Sequence, residues 1–130
     1  MRVLAIICLA LVLTGCDDLR MYTEYEDIDA VRADGAFERG WFPTWMPEHA
    51  IEIHEYHDLD TSIQSISFRV ENGSEFKWPE HCSISINASK PGLKTKKFPK
   101  AVHKLEGVRN CRNYYVVSDN KGMVHMWNIR

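Results

Sequence analysis

The sequence has no segment that could remain in a bilayer as a helix. Its one uninterrupted apolar run, Val3 to Leu13, has 11 residues, where a permanent span needs about 20. There is no CxxC pair, which excludes a thioredoxin-like redox centre. There is no HExxH, no glycine-rich phosphate loop and no nucleophile motif, so the familiar zincin, nucleotide and hydrolase patterns are missing. Internal repeats and low-complexity tracts are absent. Net charge is only −2 across 130 residues, which gives no global attraction for nucleic acid, and none is expected as a partner. Cysteine is scarce, with four residues.

The near-zero charge hides a division along the chain. Asp17 to Glu80 carries 5 Lys/Arg against 16 Asp/Glu, and His81 to Arg130 carries 10 against 2. The two halves should attract one another in the fold and leave exposed faces of opposite sign.

Met1-Arg2 followed by the Val3–Leu13 run has the layout of a secretory leader. The next residues, Leu13-Thr14-Gly15-Cys16, resemble the lipobox of bacterial lipoproteins. That resemblance implies cleavage before Cys16 and a diacylglyceryl thioether on its sulfur. The covalent lipid, palmitate among its acyl chains, is the only cofactor expected. Two or three acyl chains at about 0.8 kcal/mol per buried methylene suffice for stable anchoring. Asp17-Asp18 directly behind the cysteine resembles the inner-membrane retention signal of lipoproteins from many Gram-negative bacteria. The expected location is therefore the periplasmic face of the inner membrane, and a solvated linker is the plainer use of two acids there.

Once Cys8 is removed with the leader and Cys16 carries lipid, Cys82 and Cys111 remain as an even pair in an oxidising compartment. A disulfide between them is expected. At 29 positions apart, loop entropy puts its stabilisation at about 3–4 kcal/mol.

The organisation expected is a signal peptide at residues 1–15, a lipidated N-terminus and short tether at 16–25, and one globular periplasmic domain at 26–130. Asp27 can cap a helix with Ile28 and Val31 on one face and Gly35 at its end. GWFPTWMP, residues 40–47, contains two prolines that forbid a regular helix or central strand, so it should fold irregularly over the core. Residues 50–70 read as a β-hairpin, with Ile51 and Ile53 alternating with Glu52 and His54, and Ile66, Phe68 and Val70 alternating with Ser65, Ser67 and Arg69. A short helix starting at Ser74, a short strand at Ser83–Asn87 and a helix at Pro99–Glu106 follow. Asn113–Ser118 and Met123–Ile129 form a second hairpin, apolar on both faces. The fold class expected is α+β: an antiparallel sheet of about four strands in two hairpins, with two or three short helices and one disulfide.

The stretch Gly40–Phe68, GWFPTWMPEHAIEIHEYHDLDTSIQSISF, resembles a widespread group of small, uncharacterised bacterial lipoproteins that share a domain like the YbbD head domain. The shared pattern runs glycine, aromatic, Pro, aromatic, Met-Pro, Ala, Ile, then His-Asp-Leu-Asp-Thr and alternating apolar residues. The resemblance implies a fold and an envelope location and no particular chemistry.

Chemistry, if present, would lie between His49 and Asp60, where His49, Glu52, His54, Glu55, His57, Asp58 and Asp60 gather. His54, His57, Asp58 and Asp60 are the candidate metal ligands. On a strand, however, His54 and His57 point to opposite faces, so one ion would need a bulge or turn to unite them. Asp58 and Asp60 could form an acid/base pair, or simply bond turn N–H groups. Glu55 falls among apolar residues and, if buried, needs a partner such as Arg69 or a lysine. The lysines at 90, 94, 96, 97, 100 and 104 form a basic segment able to meet lipid head groups or to complement the acidic half.

No catalytic residues are expected. The sequence reads as a membrane-anchored accessory protein that binds an envelope partner. The rival readings are an inhibitor or immunity protein against an envelope-targeting enzyme or toxin, and a metal-dependent enzyme at the histidine-rich hairpin.

Overall fold

A computed structural model describes residues 18–71 and 76–129. The leader, Cys16, Asp17 and the helix start at Ser74 lie outside the described residues. Seven strands form one antiparallel sheet: β1 (Arg20–Asp27), β2 (Ala50–Asp58), β3 (Gln64–Val70), β4 (Ser83–Ile84), β5 (Arg109–Cys111), β6 (Tyr114–Ser118) and β7 (Met123–Asn128). Their order across the sheet is β1-β2-β3-β7-β6-β5-β4.

This corrects the expected α+β class. The described residues hold seven strands rather than about four, one six-residue helix, α1 (Ile28–Ala33), and a 3-10 turn at Val102–Lys104. Three physical causes account for the difference. Arg20–Asp27, RMYTEYED, carries too much charge to read as a strand, yet as an edge strand it needs only one hydrogen-bonded neighbour, and it finds β2. Pro99–Glu106 does not wind into a helix, because Ala101 is left-handed at φ 51 and Leu105 is extended. β5, of three residues, is too short to leave a period in the sequence, and the strand expected at Ser83–Asn87 is confined to Ser83–Ile84.

Helix α1 forms for the reasons its sequence offers. Asp27 accepts a bond from the Ala30 N–H at 2.9 Å, Ile28 and Val31 are buried, and Gly35 takes φ 73 just beyond the end. The Gly40–Pro47 segment then lays Phe42 and Met46 onto the sheet, with Trp41 and Trp45 packed beside them.

The sheet is covered on both faces. The first face carries Tyr25, Ile53, Ile66, Phe68, Met126 and Val124, and α1 and the aromatic-proline segment close it. The second carries Val117 and Trp127, closed by Phe98, Val102, Leu105 and Val108 from the connection before β5. A β-bulge between Ile51 and His54, with Glu52 at φ 48, slips the pairing of β2 against β3 by one residue. The slip puts Ala50 rather than Ile51 in the core beside Ile53. The Cys82–Cys111 disulfide ties the segment before β4 to the end of β5.

The sheet has two distinct ends. The entry end holds the start of β1, the turn between β2 and β3, and the Arg112-Asn113 turn. The far end holds Asp27, Ala50 and the Asp119–Gly122 turn.

Candidate functional site

The hairpin that drew attention in the sequence is divided by its own pleat. His54 pairs across from Ser67 on the second face, and His57 pairs across from Gln64 on the first. The two imidazoles therefore do not converge. No cluster of three or more His, Cys, Asp or Glu with metal-binding geometry occurs among the described residues. Asp58 Oδ1 accepts from the N–H groups of Asp60 at 2.9 Å and Thr61 at 3.2 Å, and its Oδ2 lies 3.7 Å from Arg20. Its slight burial opposes ionisation, but those N–H bonds and Arg20 hold its carboxyl below the usual range. Asp60 points to solvent in the turn, so the two acids form a capped turn rather than a catalytic pair. Asp18, the described member of the pair expected to act in membrane retention, is exposed and accepts a bond from the Arg20 N–H at 3.1 Å.

His54 is held in the second face. The Tyr22 hydroxyl accepts from the Lys96 N–H at 3.0 Å and shares a hydrogen bond with His54 Nδ1 at 2.9 Å. Burial lowers the His54 pKa, against a smaller opposing pull from Glu24.

On the first face, Glu55 is fully buried, and neither Arg69 nor a lysine meets it. Arg69 alternates onto the other face of β3 and meets Glu52 at 3.2 Å. The Glu55 carboxylate faces His57 Nδ1 at 2.7 and 2.8 Å, and the Gln64 amide donates to it at 2.8 Å. Gln64 also donates to the Trp41 carbonyl and accepts from the Tyr114 hydroxyl at 2.7 Å. Every polar atom of Gln64 is thereby used, which fixes the amide orientation. Burial raises the Glu55 pKa, and the bonds from Gln64 and His57 only partly offset it. Tyr114 is pushed up to about 12, by burial first and by Glu55 second. The His57 ring lies 4.3 Å from the Trp41 ring at a 45° tilt, and its Nε2 is buried without a partner. His57 and Trp41 also line a small cavity of about 190 Å³ at the entry end, with Leu59 and Ser62.

A second buried network was not visible in the sequence. Thr95 donates to Ser67 at 2.6 Å, Ser67 to His125 Nδ1 at 2.8 Å, and His125 Nε2 to Asp119 at 2.8 Å. The order Ser–His–Asp resembles a hydrolase relay, but Ser67 and His125 are fully buried, so no substrate reaches the hydroxyl. Burial lowers the His125 pKa, and Asp119 counters only in part. Burial would raise the Asp119 pKa, but the bonds from His125 and from the Met123 and Lys121 N–H groups outweigh it and leave it lowered. The network fastens the 93–98 connection to the sheet. Ser65 and Ser67 alternate with apolar residues and so read as solvent-facing. The available signal was β7, apolar on both sides, which implies that its neighbour β3 is also covered on both sides.

Acidic side chains gather at one end of the sheet. A groove of about 480 Å³ at the far end is lined by Glu26, Asp27, Asp29, Glu48, Glu52 and Glu71, with His49 beside them. A different cavity of about 550 Å³ over the second face is lined by Lys97 and Lys121 together with Glu106 and Asp119, so its charges balance.

Residues 20–69 match the family model described as the YbbD head domain. The match spans β1, α1, the aromatic-proline segment, β2 and β3, so the chain carries a YbbD-head-like domain in its acidic half. The resemblance visible at Gly40–Phe68 thus extends back to the first strand. No curated protein and no solved structure matches the chain.

Proposed function

We propose that this chain is a lipoprotein of the bacterial envelope, anchored through Cys16 to the periplasmic face of the inner membrane, whose folded body binds another envelope protein without catalysing a reaction. The observation that carries the reading is Leu13-Thr14-Gly15-Cys16 placed directly behind a basic start and an 11-residue apolar run. The Cys82–Cys111 disulfide is what an oxidising compartment would produce. The YbbD-head-like domain at residues 20–69 is compatible with an accessory role. Asp17-Asp18 supports retention at the inner membrane.

The partner surface is the acidic groove at the far end, which suits a basic protein face. A photo-crosslinking residue at Glu26 or Asp29, both exposed, tests this in intact cells. A discrete protein adduct from these positions, and none from Lys121, is expected. Adducts from none of them would contradict it.

The same groove favours one alternative, an inhibitor or immunity protein that captures a basic hydrolase or toxin. Loss of toxin resistance on deletion, with the envelope otherwise intact, would select it. The metal-dependent enzyme gains nothing from the hairpin, whose donors diverge.

A further inference from the structure

Five large apolar side chains are exposed among the described residues, and three of them, Leu19, Met21 and Leu59, sit at the entry end of the sheet. The Leu59 N–H bonds to the Leu19 carbonyl at 3.1 Å, and Met21 pairs across from His57, one residue before the Asp58–Leu59 step. Trp41 lines the small cavity beside Leu59, and the Arg39 guanidinium lies 4.1 Å over its ring. Apolar side chains flanked by a tryptophan and an arginine are the composition of a membrane interface. The charges around this end nearly cancel: Arg39 is paired with Asp34 at 2.6 Å, and Arg20 and Arg112 stand against Asp18, Asp58 and Asp60. The other two exposed apolar residues, Ile84 and Ile86, lie at the opposite edge of the sheet, on and just after β4.

Chain length identifies what this end meets. Only Asp17 and Asp18 separate Cys16 from Leu19, and three residues reach at most about 10 Å. Strand β1 then runs away from that point for eight residues, which carries its far end about 24 Å further at ~3.4 Å per residue. An acylated Cys16 would leave the entry end no room to stand clear of head groups, while the acidic groove would remain out in the periplasm.

We infer that Leu19, Met21 and Leu59, with Trp41 beside them, form a lip that rests on the lipid bilayer next to the anchor, so that the domain has a fixed orientation with its acidic groove outward. The inference rests on the lipoprotein reading of Cys16. Burial of apolar side chains holds this contact, so it does not depend on the basic Lys90–Lys104 segment or on anionic lipid.

The test uses the acylated full-length protein in vesicles of phosphatidylethanolamine and phosphatidylglycerol, with acylation verified by intact mass. Nitroxide labels are placed through Leu59→Cys, Met21→Cys and, as the control, Ile86→Cys; the Cys82–Cys111 disulfide takes no label. Labels at 59 and 21 are expected to lose collisions with a water-soluble relaxant and gain collisions with oxygen, with no reversal in high salt. The label at 86 stays in water. Two label sites keep the test open should one variant fold poorly. Labels at 59 and 21 as wet as the one at 86, on acylated protein, overturn the lip and leave the anchor standing. Shelter that high salt abolishes overturns it in favour of the lysine segment. Shelter already present without vesicles overturns it in favour of a protein contact. A mass without acyl chains removes both the anchor and the lip.

Discussion

The sheet buries a histidine–carboxylate pair on each face, and the two pairs are built differently. His125 uses both ring nitrogens, one toward Ser67 and one toward Asp119, and Asp119 also accepts two backbone N–H bonds in its turn. His57 uses one nitrogen, toward Glu55, and Glu55 has only His57 and Gln64 for company. The first pair is closed and ties a long connection to the sheet. The second is open, lies deep beneath Trp41, and keeps a carboxylate in the core without a lysine or arginine. A buried polar pair stabilises a fold only so far as its remaining bonds are made, so the closed pair should be a structural fastening and the open pair close to dispensable.

The sharpest way to break this contrast is to replace each pair with apolar residues. Asp119→Leu with His125→Phe should destabilise by about 4 kcal/mol, because Ser67 and two backbone N–H groups lose their partners as well. Glu55→Leu with His57→Phe should stay within about 1 kcal/mol of wild type, since one Gln64 N–H is the main group stranded. Denaturant midpoints measure both, and equal losses would dissolve the distinction. His57→Phe alone should cost about 3 kcal/mol, because it leaves the buried carboxylate with only the Gln64 amide.

The two pairs should also differ in the direction of their pH dependence. The Glu55 pKa is raised above 4.5 in the fold, so its contribution is complete below that value and is lost as pH rises through the folded pKa. The His125 pKa is lowered below 6.5 and the Asp119 pKa below 3.8, so their contributions are present at neutral pH and are lost as pH falls through those windows. Relative to wild type, Glu55→Gln should therefore improve on going from mildly acidic to neutral pH. His125→Gln should lose least at acidic pH. Unfolding curves across that range, with the two variants diverging in opposite senses, check both signs.

A smaller effect refines the open pair. Tyr114→Phe removes one bond to Gln64 and should cost about 1 kcal/mol. Wild-type Tyr114, by ultraviolet titration, should ionise only near the value of about 12. The smallest effect expected is none: zinc should leave the melting temperature unchanged, since His54 and His57 face opposite sides of β2.

Much of the acidic half could be read from the residues. Asp27 capping α1, the β2–β3 hairpin and the aromatic-proline cover are all local features, set by spacing within a few residues. Glu55 stood out as a carboxylate on an apolar face, but its partners did not, because Arg69 alternates onto the other face of β3 and the carboxylate meets His57 and Gln64 instead. The second face was hidden for another reason. Ser65, Ser67 and Thr95 are buried by pairings that reach 28 residues or more along the chain, such as Ser67 with Thr95. Short polar side chains look solvent-facing until their cover is known. Strand β1 was lost to its own charge, although that charge is what an exposed edge carries.

The proposed envelope role rests on an anchor at Cys16, and the mass of the chain recovered from membranes tests that most directly. The account predicts a chain beginning at Cys16, heavier than its residues by the acyl groups on that cysteine, and lighter by the two hydrogens of the Cys82–Cys111 bond. A chain that still carries residues 1–15, or one whose Cys16 sulfur is bare, would contradict it.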